Sequence, residues 1–235
     1  RLPVTPNRRL AAYYGGGALL LTGLGWLTWP WGVWLGWPAL ALGIAAGGYL
    51  GWGPGIYGKT NGRLPWTTRL TLGVLLLGQW LSLRWYARQC RPWDEVAPGV
   101  LIGRVLNDGE AREAIRQGVT TVLDLTAEFS ENAPFRALDY HNLPILDLTA
   151  PTPAQVAQGV AIITEGAQHG KVFVHCKIGY SRSAALVGAW LLTNGRAHSV
   201  DEAIAQMRRA RPAIVIRPEV MAVLQAAAPK TGKVV

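Results

Sequence analysis

One segment in the C-terminal half combines a thiol, a glycine, a guanidinium group and hydroxyls at a spacing that suits phosphate chemistry. It reads His175-Cys176-Lys177-Ile178-Gly179-Tyr180-Ser181-Arg182-Ser183. Five residues separate Cys176 from Arg182, so the loop between them can curl with its backbone N–H groups pointing inward, forming a seat for a dianion. The planar fork of Arg182 can bind two phosphoryl oxygens. The predicted phosphate-binding residues are therefore Lys177, Ile178, Gly179, Tyr180, Ser181 and Arg182.

Cys176 is the residue of this loop best suited to act as a nucleophile. Helix N-termini and cationic groups lower a cysteine pKa from about 8.5 to about 3.5–7.5, so a thiolate is expected. It would form a phosphocysteine intermediate. Ser183 can donate to the thiolate when it leaves, and His175 is expected to orient the loop. A lone cysteine is usually an inert buried thiol, but its neighbours here favour catalysis.

The leaving alkoxide also needs a proton donor, and Asp147 is the preferred candidate. It lies 29 residues before Cys176, between a predicted strand and a predicted helix. A general acid at this point contributes typically about 10²–10⁴-fold to the rate. Asp124, which follows another predicted strand, is the alternative, and either aspartate could instead be a helix cap or turn former. No cluster has the sequence spacing of metal ligands, so no metal or other cofactor is expected.

The elements that must position these residues alternate between strands and helices. Strands are predicted over 100–103, 120–125, 138–146 and 171–175. Helices are predicted over 108–117, from the Thr152 N-cap to 168, from Arg182, from the Ser199 capping box to 209, and from Pro218. This order indicates an α/β domain with a largely parallel sheet covered by helices. We assign it to residues 94–229, followed by a tail at 230–235.

Residues 1–93 differ sharply from the rest of the chain. They contain nine of the 23 Lys and Arg residues, none of the 14 Asp and Glu residues, and ten of the 11 Trp residues. The net charge of +9 therefore comes entirely from this part. Its basic residues flank apolar stretches and do not line one face, which indicates a membrane anchor and argues against nucleic-acid binding.

Two apolar stretches, 11–29 and 31–52, have the length of membrane-spanning helices, for which about 20 residues are needed. Pro30 lies between them, and both outer ends are basic. Four Trp residues surround the bend: Trp29, Trp31, Trp34 and Trp37. This predicts a helical hairpin whose ends, and the catalytic domain, lie on the cytoplasmic face, for instance of a bacterial inner membrane. Gly43, Gly47, Gly51 and Gly55 would share one helix face, which fits packing against the first span better than a dimer through Gly43, Gly47 and Gly51.

A third apolar helix is predicted over 66–86, and the basic residues around it favour a position in the membrane interface. The segment from Gly53 to Thr60 also matches the phosphate-loop pattern G-x-x-x-x-G-K-[ST]. That loop requires a preceding strand and a following helix, whereas here an apolar span precedes it and Asn61-Gly62 follows. We interpret it as a turn at the membrane edge.

The Cys loop with its upstream aspartate resembles the cysteine-based protein tyrosine and dual-specificity phosphatase superfamily over residues 100–224. Three segments are similar to its mitochondrial-type phosphatidylglycerophosphate phosphatases. They are Leu146-Asp147-Leu148-Thr149 with the helix start at 153–160, Cys176-Lys177, and Ile214-Val215-Ile216-Arg217-Pro218. The resemblance implies the cysteine-phosphatase fold, with Cys176 as nucleophile, Arg182 as phosphate ligand and Asp147 as general acid. Ile178 and Tyr180 replace the small and basic residues usual in that subgroup.

Three functions remain open at this point. The leading one is a lipid phosphatase acting at an anionic phospholipid membrane, with phosphatidylglycerophosphate as first candidate substrate. The second is a protein phosphatase at the membrane surface, and the third is a non-catalytic phosphate-binding scaffold. Arg217 is the one residue of the C-terminal basic group expected to reach lipid phosphates. The others, Arg208, Arg209 and Arg211, are expected to form a solvated helix end.

Overall fold

A computed structural model of the protein describes residues 6–229. Arg1 and the predicted tail at 230–235 lie outside the described residues. The chain divides into two compact units. The first ends at Tyr86 and also includes Ala127–Ser130, and the second comprises Ala87–Thr126 and the chain from Glu131 onward.

The first unit is helical. Its helices are α1 (Arg8–Leu27), α2 (Gly36–Gly47), α3 (Trp66–Thr71) and α4 (Gly73–Ala87). Shorter helical turns, Trp31–Leu35, Gly48–Trp52 and Gly53–Tyr57, flank α2. The predicted helix at 66–86 is interrupted, because α3 ends before Leu72 and α4 begins after it. Residues 53–63 show no strand–loop–helix unit. They form the short turn Gly53–Tyr57 and a bridge between Thr60 and Arg63.

Helices α1 and α2 form a hairpin. At its open end the Asn7 N–H donates to the Tyr49 carbonyl at 2.9 Å, and the Tyr14 and Tyr49 rings stack at 5.4 Å between centroids. At its closed end Gly25 and Gly32 approach so closely that a Cβ on Gly32 would lie 2.3 Å from the Gly25 carbonyl oxygen. Glycine is needed where two backbones come this near.

The hairpin carries its largest apolar side chains on the outside. Among them, Leu19, Trp26, Leu27, Trp31 and Trp34 are each at least 76% exposed. Two helical stretches of the described residues, Arg8–Leu27 and Trp31–Tyr57, are long and apolar enough to cross a membrane. In a helix that packs inside a water-soluble core, such side chains would be buried.

The predicted glycine face of the second stretch is wrong beyond Gly47. Helix α2 ends there, and Gly51 has a φ of +144°, which takes the chain out of helical geometry. Gly47 is also covered, since a Cβ on it would lie 2.4 Å from the Trp52 ring. The expectation failed because a four-residue repeat marks one face only while the helix continues, and glycine is also the residue that most readily leaves it.

The second unit is built on a five-stranded sheet. Its strands are β1 (Trp93–Ala97), β2 (Val100–Gly103), β3 (Val119–Thr126), β4 (Asp139–Ile145) and β5 (Lys171–His175). Their order is β1-β2-β5-β3-β4, and every pair is parallel except β1 with β2. The predicted α/β class with a mostly parallel sheet is confirmed. Edge strand β1 was not predicted.

Six helices of the second unit are described. They are α5 (Asp108–Arg116), α6 (Ala133–Arg136), α7 (Pro153–His169), α8 (Arg182–Thr193), α9 (Val200–Ala210) and α10 (Pro218–Ala227). Short α6 was not predicted. Every residue of α8 from Arg182 to Leu192 is buried, because the helix lies in the main core between the sheet and the helices around it. The first turn of this rigid helix carries Arg182 and Ser183.

Candidate active site

The Cys loop connects the carboxyl end of central strand β5 to the first turn of buried helix α8. Cys176, the residue after β5, is 4% exposed. Its Sγ accepts a hydrogen bond from the Gly179 N–H at 3.3 Å and lies 3.4 Å from Ser183 Oγ. Gly179 has a φ of +78°, a conformation that favours glycine. The loop therefore curls around the sulfur as its spacing predicted.

Two opposing effects set the pKa of Cys176. Burial alone raises it, because a thiolate is poorly solvated inside the protein. The positive charge of Arg182, together with hydrogen bonds from Ser183 and Gly179, lowers it. The lowering effects are larger in sum, so the pKa of Cys176 lies below that of an ordinary thiol. The site can thus hold the sulfur as a nucleophilic thiolate.

The carbonyl groups on the outer side of the loop accept hydrogen bonds from two other segments, the chain after β2 and the connection between α9 and α10. The Lys177 carbonyl accepts from the Val105 N–H at 3.2 Å, and the Tyr180 carbonyl from the Val215 N–H at 2.9 Å. The Ile178 carbonyl accepts from Arg211 Nη2 at 2.8 Å. A loop whose N–H groups face a ligand must turn carbonyls away from it, and buried carbonyls require partners.

Asp147 lies at the opening of the loop, two residues after β4. Its carboxylate is 3.2 Å from Arg182 Nη2 and 3.5 Å from Lys177 Nζ, and it accepts from the Leu148 N–H at 3.1 Å. Arg182, only 2% exposed, also donates to the Ile145 carbonyl at 2.8 Å. The predicted acid, phosphate ligand and loop lysine are therefore together in space.

The pKa of Asp147 lies below the ordinary value of an aspartate. Burial raises it, but the charges of Arg182 and Lys177 and the Leu148 N–H outweigh that effect. The Asp147 carboxylate thus binds the Arg182 guanidinium group, which is also the group expected to bind phosphate. A bound phosphate dianion would replace it and, by its own charge, raise the pKa of Asp147 towards the protonated state that a general acid requires.

Asp124, the alternative acid, lies elsewhere. It is fully buried, and its carboxylate accepts from the Thr126 N–H and Oγ1 at 2.8 and 2.7 Å and from the Tyr140 hydroxyl at 2.7 Å. Its Oδ1 is 3.7 Å from His175 Nε2, behind the strand end. A carboxylate enclosed in this way cannot reach a leaving group in the loop.

His175 belongs to that enclosed group, and its Nε2 is 2.8 Å from Glu131 Oε2. Asp124, Glu131 and His175 are all buried, with candidate ligand atoms within 4.8 Å of one another. The sequence spacing did not reveal this cluster. The other Glu131 oxygen accepts from Asn132 N and Nδ2, and the Asp124 oxygens have the donors described above. The carboxylates are thus already coordinated by protein donors, which fits a buried polar network supporting the loop better than a cation site.

The C-terminal basic group divides differently from the expectation. Arg208 and Arg209 are exposed, as expected, whereas Arg211 is 2% exposed. It contacts the back of the Cys loop through the Ile178 carbonyl and does not form a solvated helix end. Its position after an amphipathic helix concealed this role, because such a position is usually at the surface.

A buried thiol of lowered pKa, an arginine in the first helical turn and an aspartate over the opening together define a cysteine-dependent phosphatase. The sequence matches the family described as dual specificity phosphatase, catalytic domain, over residues 107–229. The chain belongs to this family. The resemblance stated from the loop motif is thereby confirmed.

Known proteins similar to this chain include dual specificity phosphatases related by sequence and a solved structure with the same fold. Mouse dual specificity phosphatase 28 is 31% identical over 125 residues, which is 52% of this chain and 74% of that protein. Dual specificity protein phosphatase CDC14C of Symphalangus syndactylus is 32% identical over 105 residues, 44% of this chain but only 21% of its own length. The crystal structure of PTPMT1 in complex with PI(5)P superposes with a TM-score of 0.53 at 26% identity, covering 58% of this chain and 94% of that one.

Proposed function

We propose that the protein is a membrane-anchored phosphatase that hydrolyses the phosphate monoester of a lipid through a phosphocysteine intermediate. The observation that carries this proposal is the presence, in one chain, of a phosphatase site and an apolar hairpin with exposed Leu and Trp side chains. An anchor of this kind would keep the site at the surface where a lipid substrate resides. Phosphatidylglycerophosphate is the first candidate substrate.

In the first step the phosphoryl group binds the loop N–H groups and Arg182, displacing Asp147 from the guanidinium. The Cys176 thiolate attacks phosphorus, so that a P–S bond forms while the P–O bond to the lipid breaks. Asp147 gives its proton to the departing oxygen, which leaves as an alcohol. Arg182 and the loop stabilise the negative charge of the transferring group.

In the second step water completes the cycle. Asp147, now a carboxylate, accepts a proton from the water that attacks phosphorus. The P–O bond to this oxygen forms as the P–S bond breaks, and inorganic phosphate leaves. The Ser183 hydroxyl, 3.4 Å from the sulfur, donates to the thiolate as it is expelled.

The lipid substrate has support beyond the anchor. PTPMT1, a structural relative, was determined with a phosphoinositide. Three arginines lie within eight residues near the start of the catalytic unit: Arg84, Arg88 and Arg91. Each basic residue near an anionic surface contributes about 1 kcal/mol of attraction. Lys177 adds a cation at the opening of the site for a highly charged headgroup.

The test compares three substrates with the full chain in detergent micelles. Phosphate release is measured from phosphatidylglycerophosphate, from a phosphoinositide monophosphate and from a phosphotyrosine peptide, with Cys176→Ser as control. We expect a kcat/KM at least about tenfold higher for one of the lipids, which corresponds to about 1.4 kcal/mol in the transition state. The Cys176→Ser protein should release no phosphate.

A protein phosphatase is the second candidate, and the specific observation in its favour is that the curated relatives are named protein phosphatases. Preference for the phosphopeptide would support it and refute the lipid proposal. Folded protein that releases phosphate from none of the substrates would favour a phosphate-binding scaffold.

A further inference from the structure

The peptide group between Ile178 and Gly179 is held at both of its ends. Its N–H donates to Cys176 Sγ at 3.3 Å, and its carbonyl accepts from Arg211 Nη2 at 2.8 Å. The donor to the nucleophile and the acceptor from Arg211 therefore belong to one planar unit. Because a peptide group rotates as a whole, a partner at the carbonyl end fixes where the N–H end points.

Arg211 is itself held rigidly. Its side chain is 3% exposed, its Nη1 lies 2.6 Å from Asp94 Oδ2, and its Nη2 also donates to the Arg91 carbonyl at 3.2 Å. The guanidinium stacks over the Tyr180 ring at 5.3 Å from the centroid. Asp94 is 9% exposed and lies on edge strand β1. The two charges therefore form a buried pair that bridges β1 and the back of the loop.

Without the hydrogen bond from Arg211, the Ile178–Gly179 peptide group could rotate about its neighbouring backbone bonds. Gly179, which follows it, adopts a φ of +78° and as a glycine can reach both signs of φ. A flipped peptide would point its carbonyl oxygen at the thiolate and repel it.

We propose that Arg211, fixed by Asp94, is a positioning residue that orients the Ile178–Gly179 peptide so that its N–H group faces the Cys176 sulfur and the bound phosphoryl group. Neither residue touches the substrate in this role. Arg211 acts through the peptide, and Asp94 acts through Arg211. The role is independent of whether a lipid or a protein carries the phosphate.

The test follows the nucleophile directly and needs no substrate. Alkylation of Cys176 by iodoacetamide is measured against pH, with mass spectrometry of the Cys176 peptide to distinguish it from Cys90. In Arg211→Met the Cys176 thiolate is expected to lose the Gly179 N–H as a donor. A hydrogen bond to a charged group is strong enough that its loss should shift the midpoint of alkylation upward by about one pH unit. Folding is checked by thermal unfolding.

Removing Arg211 also removes a positive charge, which alone would raise the midpoint, so a second variant separates the two effects. Asp94→Asn leaves Arg211 charged and removes a negative charge, which by electrostatics alone would lower the midpoint. If Asp94 fixes Arg211 as proposed, the substitution loosens the Arg211 guanidinium, and the alkylation midpoint rises instead. The other charged or titratable groups around the sulfur stay unchanged. They lie on α8, the loop, the Asp147 segment and the end of β5: Arg182, Lys177, Asp147 and His175.

Glu95→Gln is the matched control. Glu95 is the next residue of β1, and its carboxylate pairs with Lys171 at 3.1 Å, away from the loop. We expect an upward midpoint shift in Arg211→Met and a smaller upward shift in Asp94→Asn, each with a fall in kcat, and no shift in Glu95→Gln. An unchanged or lowered midpoint in Asp94→Asn overturns the proposal, and this variant decides alone if Arg211→Met does not fold.

Discussion

At the scale of single residues, the site is shaped by competition for one guanidinium group. Arg182 Nη2 lies 3.2 Å from the Asp147 carboxylate, and the charge of the guanidinium helps to lower the pKa of that group. A phosphoryl group is expected to bind the same guanidinium group. We therefore expect a bound anion to displace the Asp147 carboxylate, which then faces a new negative charge.

Proton uptake on anion binding is the expected consequence. With its lowered pKa, Asp147 is ionised before an anion binds, and a bound dianion raises that pKa. At pH values between the pKa of Asp147 without the anion and its pKa with the anion, binding takes up a proton. The affinity for the anion therefore falls as pH rises. Sulfate is the suitable probe because its charge is constant, and Cys176→Ser removes the thiol titration. Calorimetry between pH 5 and 8 should show this weakening.

Asp147→Asn, in the same Cys176→Ser protein, is the control for that prediction. Its sulfate affinity should exceed that of the parent at pH 7, because the competing carboxylate is gone, and should be nearly constant with pH. Equal affinities and equal pH dependence in the two proteins would contradict the proposed competition.

The residues of this site differ in how far a sequence can predict them. Cys176, Arg182, Ser183 and the loop glycine lie within eight consecutive positions, so their spacing alone predicts that they meet. The strand and helix around Asp147 favour it over Asp124 as the acid, and the structure places it at Arg182. Glu131 and Arg211 come from distant segments, and only the folded chain brings them to the loop.

At the scale of elements, the start of α7 holds one end of the segment that carries Asp147, the proposed general acid. Thr152 caps the helix, with its Oγ1 accepting from the Gln155 N–H at 3.3 Å. Gln155 returns the bond, accepting from the Thr152 N–H at 2.9 Å, and its Nε2 donates to the Pro144 carbonyl at 2.9 Å. Gln155 therefore joins the end of β4 to the start of α7, the two ends of the segment that carries Asp147.

Gln155→Ala is expected to loosen that segment. Loss of the cap interactions should cost about 1 kcal/mol of stability. A displaced general acid matters most for a leaving group that needs a proton, so turnover of an alkyl phosphate should fall several-fold more than turnover of p-nitrophenyl phosphate. The ratio of the two kcat values is the measurement. Gln158→Ala, at an exposed position of the same helix, should leave the ratio unchanged.

If Gln155→Ala lowers the two kcat values equally, the contact with β4 serves stability and does not position Asp147.

The predicted helix start and strand around this point agree with the structure because their sequence signals are local. Thr152-Pro153 gives a helix start, and the predicted strand at 171–175 agrees with β5. Strand β1 was missed because the two adjacent charged residues Asp94 and Glu95 interrupt the alternation expected of a strand, and its pairing with β2 is what stabilises it.

At the scale of the whole molecule, the chain combines two compositions that physical chemistry assigns to different solvents. The catalytic unit buries its apolar residues around a sheet, while the hairpin exposes Leu and Trp side chains along most of its length. The asymmetry of charge and aromatic residues marked this division in the sequence. Which residues leave regular helix, such as Gly51, depended on local packing that the pattern does not contain.

The proposed topology predicts which side of the membrane each end of the hairpin occupies. Arg8, Arg9 and Lys59 flank the two apolar stretches, whereas the turn between them has no charge, so the turn should lie on the side opposite the catalytic unit. Trp31 is 83% exposed at this turn, and Cys90 lies near the start of the catalytic unit. Labelling with a membrane-impermeant maleimide can compare the two positions.

Two proteins are needed, both carrying Cys176→Ser. The first keeps Cys90 as its one cysteine, and the second replaces Cys90 by Ser and carries Trp31→Cys. In intact bacterial cells expressing the chain, the reagent should label the cysteine at position 31 and not Cys90, and in inverted membrane vesicles the pattern should reverse. Labelling of both positions from the same side would mean that the hairpin does not cross the bilayer, and the anchor would then lie in one leaflet.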